Sequence, residues 1–271
     1  MDTKITKLTK INSSRVLENF DNNNLGIHDF GISKKYTGEE VSVCLLGSGL
    51  PCHDNLPKFS IFETFTEDKE PIIDTNNFST MGAGLLSSEH FGLSQDIDLI
   101  FARVIDNKGQ IFLSSIISGI LWSIIKETHI VVCPSSIPNE VLDDVKPLLK
   151  KLNERNMMMI FPIDKEENLD ILKIDGVLGI KTLSNKENIW KIEKEDNNLI
   201  NIFVPKNQKM HSTYGIDKYI KLSNKEAGLF IGASILSCLY CRHNKKNLAI
   251  TNKVIYSDLE NMKKEGYSAK E

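Results

Sequence analysis

Six short apolar runs, alternating with segments of helical periodicity, constrain this chain more than any other feature. They are Val41–Leu46, Leu99–Ile105, His129–Cys133, Met157–Phe161, Gly176–Thr182 and Leu199–Val204. A strand wetted on one face alternates apolar and polar residues. A strand that is apolar along its whole length must be covered on both faces. Helices are predicted at Thr80–Ser88, Ser114–Lys126, Val141–Arg155, Ala227–Tyr240 and Ser257–Lys264. In the second of these, Ile116, Ile117, Ile120, Leu121 and Ile124 share one face. Continuous strands interleaved with helices predict an α/β, doubly wound domain: a mainly parallel sheet with helices on both faces, in three layers.

Turn chemistry marks where the runs stop. Gly47-Ser-Gly49 closes the first run and Asp106-Asn-Lys-Gly109 the second. Residues 1–24 are polar and end in Asp21-Asn22-Asn23-Asn24, which predicts a surface arm or short helix. A single domain is expected over residues 25–266, with a polar tail at 267–271. The charge runs Asp143–Lys151, Lys191–Asp196 and Lys263–Glu271 read as solvated faces or tails.

Composition removes several functions. The formal charge of −3 carries no basic excess, which argues against nucleic acid as a partner. No apolar run of about 7–15 residues, as a secretory leader needs, precedes Val41. No stretch reaches the roughly 18 apolar residues of a membrane span. The longest candidate, Ile111–Ile125, is interrupted by Ser114, Ser115, Ser118 and Ser123 and reads as a buried helix. A cytoplasmic location without membrane contact is the expectation. Five cysteines, an odd number, argue against a complete disulfide framework, and Cys44 and Cys133 sit inside apolar runs. Cys238-Leu-Tyr-Cys241-Arg-His243 has metal-ligand spacing but no second pair to complete four zinc ligands, so it reads as two half-buried helix cysteines. Neither G-x-G-x-x-G nor G-x-x-x-x-G-K-[ST] occurs, and no cofactor is expected.

Taken in order, the motifs resemble a known family. Gly38-Glu-Glu-Val-Ser-Val-Cys-Leu-Leu-Gly-Ser-Gly49 is similar to a strand leading into a D-[ST]-G turn, and His53-Asp-Asn-Leu56 to the H-P-D-L that follows it. Phe78-Ser-Thr-Met-Gly-Ala-Gly84 resembles a helix written H-G-T-H-x-A-G. Leu99–Gly109 resembles L-x-A-V-K-V-L-D-x-x-G, and Gly119–Ile124 the helix after it, Trp122 included. Ile130–Ser136 resembles the strand that ends in S-L-G, Ile202–Pro205 resembles V-x-A-P, and Ser223–Ser234 resembles the helix opened by G-T-S-x-A-x-P. These are the motifs of the subtilisin-like (S8) serine proteases, and the similarity runs from about residue 26 to residue 266.

The resemblance implies a degenerate member. Gly47 stands at the aspartate position, Phe78 at the histidine and Lys225 at the serine, while Asp164 or Lys165 stands at the oxyanion asparagine. A triad needs a hydroxyl, a base to take its proton and a carboxylate to hold the base. Glycine cannot hold a base, phenylalanine cannot accept a proton, and an acid would repel the developing oxyanion. The calcium loop is trimmed to Ser88–Asp96. The polar arm is shorter than a prodomain, which a chain with no active site to restrain would not need. The implied function is a catalytically inactive pseudoprotease that acts as a peptide-binding, regulatory or scaffold partner, an active subtilase being one candidate partner. Peptide would pair with strand edges near Phe101–Ile105 and Pro134–Ile137, involving Ile105, Pro134, Ser135, Ser136 and Ile137. Two alternatives stay open: a peptidase with relocated catalytic residues (Ser48, Ser79 or Ser223, with Lys225 as base), and an unrelated α/β small-molecule-binding protein.

Overall fold

The computed structural model describes residues 3–7, 16–17, 30, 32–68, 70–163, 170–185, 191–195, 197–205, 210–248 and 250–264. In chain order the elements are β1 (Lys4–Lys7), β2 (Val16–Leu17), β3 (Ser42–Gly47), β4 (Phe62–Thr64), α1 (Phe78–Ser87), β5 (Asp98–Arg103), β6 (Gln110–Phe112) and α2 (Leu113–Ile125). Then come β7 (Ile130–Val132), α3 (Leu142–Glu154), β8 (Met158–Pro162), β9 (Val177–Asn185), β10 (Lys191–Lys194) and β11 (Leu199–Pro205). The chain finishes with β12 (His211–Tyr214), β13 (Lys218–Lys221), α4 (Asn224–Lys245) and α5 (Asn252–Lys264). Eight strands form the main sheet in the order β10-β11-β9-β8-β7-β3-β5-β4. Every pairing in it is parallel except β10 with β11. This is the doubly wound α/β architecture the apolar runs imply.

Strand β3 shows why its run is apolar throughout. Successive side chains on a strand point to opposite faces. Leu45 lies under Gly82 of α1, while Leu46 lies under Gly119 of α2. Both leucines are fully buried. A Cβ at either glycine would come within 3 Å of the leucine below it, so the missing side chains let the two helices sit close to the sheet. Helix α4 packs beside α1 on the Leu45 face; α3 packs beside α2 on the other. No helix among the described residues is long and apolar enough to cross a membrane.

Four expectations are corrected. The described parts of the N-terminal arm are strands: β1 pairs antiparallel with β6 and β2 with β13. The Lys191–Asp196 charge run contains strand β10, where Lys194 is only 7% exposed and bonds Glu260 at 3.1 Å. Its alternating K-I-E-K pattern is that of a sheet-edge strand, with Ile192 buried. Cys238 and Cys241 are fully buried in α4, not half-buried, because α4 is enclosed over most of its length. Helix α2 is buried on one face only, with Leu121 43% and Ile125 75% exposed.

Two polar side chains, one fully buried and one half-buried, hold this framework. The fully buried guanidinium of Arg103, at the end of β5, donates to the Pro71 carbonyl (2.8 Å), Asn107 Oδ1 (2.8 Å) and Asp68 Oδ2 (3.2 Å). It thereby ties the loop before α1 to the turn after β5. His129, at the start of β7, accepts the Ser42 N–H at Nδ1 (3.0 Å). Burial holds its imidazole below the ordinary value, with Asp98 opposing, and burial acts on His53 in the same sense.

Removing the fully buried Arg103 side chain deletes three donated hydrogen bonds and leaves a void at the end of β5. Arg103→Ala is expected to cost about 3 kcal/mol, read from the urea unfolding midpoint. The histidines set a pH dependence. Because the unfolded chain takes up protons that the folded chain resists, stability is full above the ordinary value of 6.5 and falls as pH drops below it. Urea midpoints at about pH 7.5 and about pH 5.5 should differ less in His129→Asn than in the native chain; equal differences would contradict this origin.

Candidate functional site

Parallel strands of an open α/β sheet present their ligand crevice at their C-terminal ends. Gly47 ends β3 on that edge. Its two neighbours in the sheet, β5 and β7, carry the chain on to Ile105 and to Pro134 respectively. Phe78 opens α1, and Lys225 stands in the first turn of α4. Phe78 meets Phe230 of α4 with ring centroids 5.4 Å apart and is 5% exposed. This aromatic pair joins the start of α1 to α4. Lys225 is exposed at the helix start. There Ser223 caps the helix by accepting the Glu226 N–H (3.3 Å), and Glu226 Oε2 accepts the Ser223 N–H (2.7 Å). Asp164 and Lys165 lie outside the described residues.

The end of β3 is stitched to α1 by a buried network. A Cβ built on Gly47 would lie 2.0 Å from Ser79 Oγ, so no side chain fits there while Ser79 keeps its place. Ser79 Oγ accepts the Ser48 N–H (2.8 Å), and Ser48 Oγ accepts the Ser79 N–H (3.2 Å). The Ser48 hydroxyl donates in turn to Asp74 Oδ1 (2.6 Å). Asp74 also accepts the N–H groups of Asn76 (3.1 Å), Asn77 (2.8 Å) and Thr80 (2.7 Å), and the Thr80 hydroxyl (2.8 Å). Burial raises this carboxyl above the usual carboxylate range, and the hydrogen bonds from Ser48, Thr80 and Asn77 offset part of that rise. Every group facing it donates, so the ionised form satisfies all of them. Asp74 does the capping that Asn77, in a left-handed conformation (φ 63°), does not do for its own helix. The Asn77 side chain instead accepts the Gly215 N–H (2.7 Å) of the β12–β13 turn.

These hydroxyls are structural in their contacts. Ser48 and Ser79 are 0% exposed, and Ser223 is engaged as a cap. His53 accepts the Asn55 N–H at Nδ1 (3.1 Å), which leaves Nε2–H to donate to the Lys218 carbonyl (2.9 Å). Among the described residues, the side chains of Ser48, Ser79 and Ser223 bond Asp74, each other and the Glu226 N–H, not a histidine. Among the described residues there is no group of three or more potential metal ligands.

The proposed peptide edges fall as follows. Phe101–Arg103 lies inside the sheet, bonded to β3 on one side and β4 on the other. Ile105 is fully buried, donates its N–H to the Gly47 carbonyl (3.0 Å) and bridges Ile111. Strand β6, which Ile105 bridges, forms a two-stranded sheet with β1 in the register Lys4↔Phe112, Thr6↔Ile111 and Lys7↔Gln110, with an irregularity between Lys4 and Thr6. The Leu113 N–H extends the ladder to the Thr3 carbonyl (3.0 Å). On the other flank Pro134, Ser135 and Ile137 are buried and Ser136 is half-buried. The Ser135 hydroxyl donates to the Ser136 carbonyl (3.1 Å).

Sequence reasoning missed Asp74 and the β12–β13 hairpin. The hairpin's Ser212 and Thr213 hydroxyls donate to the Met81 (2.6 Å) and Thr80 (2.7 Å) carbonyls of α1. The available signal for Asp74 was an acidic residue followed by Thr75-Asn76-Asn77 just before an apolar helical segment. No protein-family model matches the chain, and no curated protein matches it.

The clash at Gly47 gives a test of the sealed site. Gly47→Ala should cost about 1–3 kcal/mol through overpacking. Most of that cost should vanish in a Ser79→Ala background, which removes the crowding hydroxyl. Additive costs in the double-mutant cycle would show that the two positions do not press on each other.

Proposed function

We propose that the chain is a catalytically inactive relative of the subtilisin-like proteases that holds an extended peptide, or an extended segment of a protein partner, by strand addition. One observation carries the reading: β6, beside the Gly47 end of the sheet, already pairs with an extended segment, Lys4–Lys7. An edge that accepts a strand from its own chain has the backbone groups to accept one from elsewhere, and main-chain bonds need no catalytic side chain. Further support comes from the positions matched to the family's triad. Gly47 is crowded by Ser79, Phe78 is packed on Phe230, and Lys225 stands exposed beside a helix cap. That arrangement suits a scaffold retained without its chemistry. In this reading the N-terminal strand covers the edge until a partner displaces it.

Thr6→Pro tests the reading in the full-length chain. Proline lacks the backbone donor and disfavours the ladder, so β1 should leave β6. Amide exchange at Gln110–Phe112 should accelerate. Affinity for a fluorescent peptide copying residues 2–9 should rise about tenfold by anisotropy, a difference of about 1.4 kcal/mol. Mass spectrometry of the mixture should find that peptide intact. Exposed amides without tighter binding would mean that β6 is not a peptide-binding edge, and cleavage products would overturn the inactive assignment.

A further inference from the structure

A second site lies at the opposite, N-terminal edge of the sheet. Helices α2 and α3 both end there, and the chain returns into adjacent strands β7 and β8. Between these returns and the far end of α4 is a cavity of about 460 Å³, lined among others by Glu127, His129, Arg155, Met157, Tyr240 and Ile250. Small-molecule sites span roughly 300–1,000 Å³. None of these residues belongs to the edge discussed above.

The lining groups carry unspent hydrogen-bonding capacity of definite sign. His129 accepts at Nδ1, so its neutral ring carries the proton on Nε2, and no described group accepts it. Burial shifts that ring toward its neutral form. Arg155 uses Nη1 on the Ile124 carbonyl (3.3 Å) and lies 3.8 Å from Glu127 Oε1, which leaves further guanidinium donors. Glu127 is 82% exposed and largely free to reorient. Met157, Ile250 and the ring of Tyr240 supply apolar wall, while the Tyr240 hydroxyl is spent on the Asn156 carbonyl (3.0 Å).

Charge narrows the class of ligand. A lone anion would meet Arg155 but also face Glu127 and the negative ends of two helices. A lone cation would meet those ends but face Arg155. A molecule with both charges on adjacent atoms satisfies both sets. We propose that this cavity binds a free zwitterionic α-amino acid with an apolar side chain. Its carboxylate sits on Arg155 and the His129 Nε2–H. Its ammonium sits toward Glu127 and the carbonyl ends of α2 and α3, and its side chain lies against Met157, Ile250 and Tyr240. The site stands independently of strand addition at β6.

The full-length chain is titrated with L-phenylalanine and L-leucine by calorimetry and by the His129 ring nitrogen resonances. Saturable binding near about 1 mM or tighter is expected, with the Nε2 signal shifting. 3-Phenylpropanoate and 2-phenylethylamine, each lacking one charge, should bind at least about tenfold more weakly. Arg155→Gln changes a half-exposed side chain and should weaken L-phenylalanine about tenfold while leaving 2-phenylethylamine unchanged. A native far-ultraviolet spectrum of that variant excludes unfolding as the cause. The proposal is overturned if neither amino acid moves the His129 signal up to about 20 mM, if either single-charge analogue binds as well as L-phenylalanine, or if Arg155→Gln binds like the native chain.

Discussion

The carboxylate of Asp74 is the contact on which the arrangement of the C-terminal edge depends. A buried charge persists only when its surroundings donate to it, and here the donors come from three separate places. Ser48 lies just past β3, Asn76 and Asn77 lie in the loop, and Thr80 lies inside α1. One group therefore fixes the height of the helix against the end of the strand. The spacing it sets leaves no room for a side chain at Gly47. The hairpin β12–β13 then seats on α1 through Ser212, Thr213 and Gly215. The residues that the sequence resemblance singled out, Gly47 and Phe78, are here part of this packing. The polar groups at this edge spend their hydrogen bonds on one another.

The central strands were legible because burial on both faces writes itself into composition. Val43–Leu46, Ile130–Val132 and Met158–Phe161 contain no charged residue and are fully buried. The missed strands are short or edge elements, whose membership in a sheet depends on a partner far away in the chain. His211–Tyr214 and Lys218–Lys221 contain no continuous apolar run, and Lys4–Lys7 is recognisable as a strand only once Gln110–Phe112 is beside it. Helix α4 starts before Ala227 because Ser223 and Glu226 form a reciprocal cap, a local signal in Ser-Asn-Lys-Glu that apolar periodicity alone overlooks.

At the candidate site the sequence marked positions but not their content. Phe78 and Gly47 could be placed opposite family residues, yet only coordinates reveal Phe230 against the one and Ser79 against the other. The cavity at the other edge left no motif at all. Glu127 and His129, Arg155, and Tyr240 come from three segments, and their shared chemistry arises from two helices that end side by side. Such convergence is a property of topology, which places the C-termini of consecutive crossover helices at the bottom of neighbouring parallel strands.

The two attachments of the N-terminal arm have a consequence for any competitor at β6. Lys4–Lys7 is tethered through Val16–Leu17 on β13, a second and separate sheet. A segment held this way meets its edge at an effective concentration that for short tethers is on the order of millimolar. On the strand-addition proposal, an incoming strand would have to exceed that local supply, which disfavours casual contacts with unfolded chains without any selective side chain. The proposal therefore favours a partner with a second point of attachment, or one that first loosens the hold on β13. The tether works as an affinity threshold, and its height is set by the number of residues between two short strands.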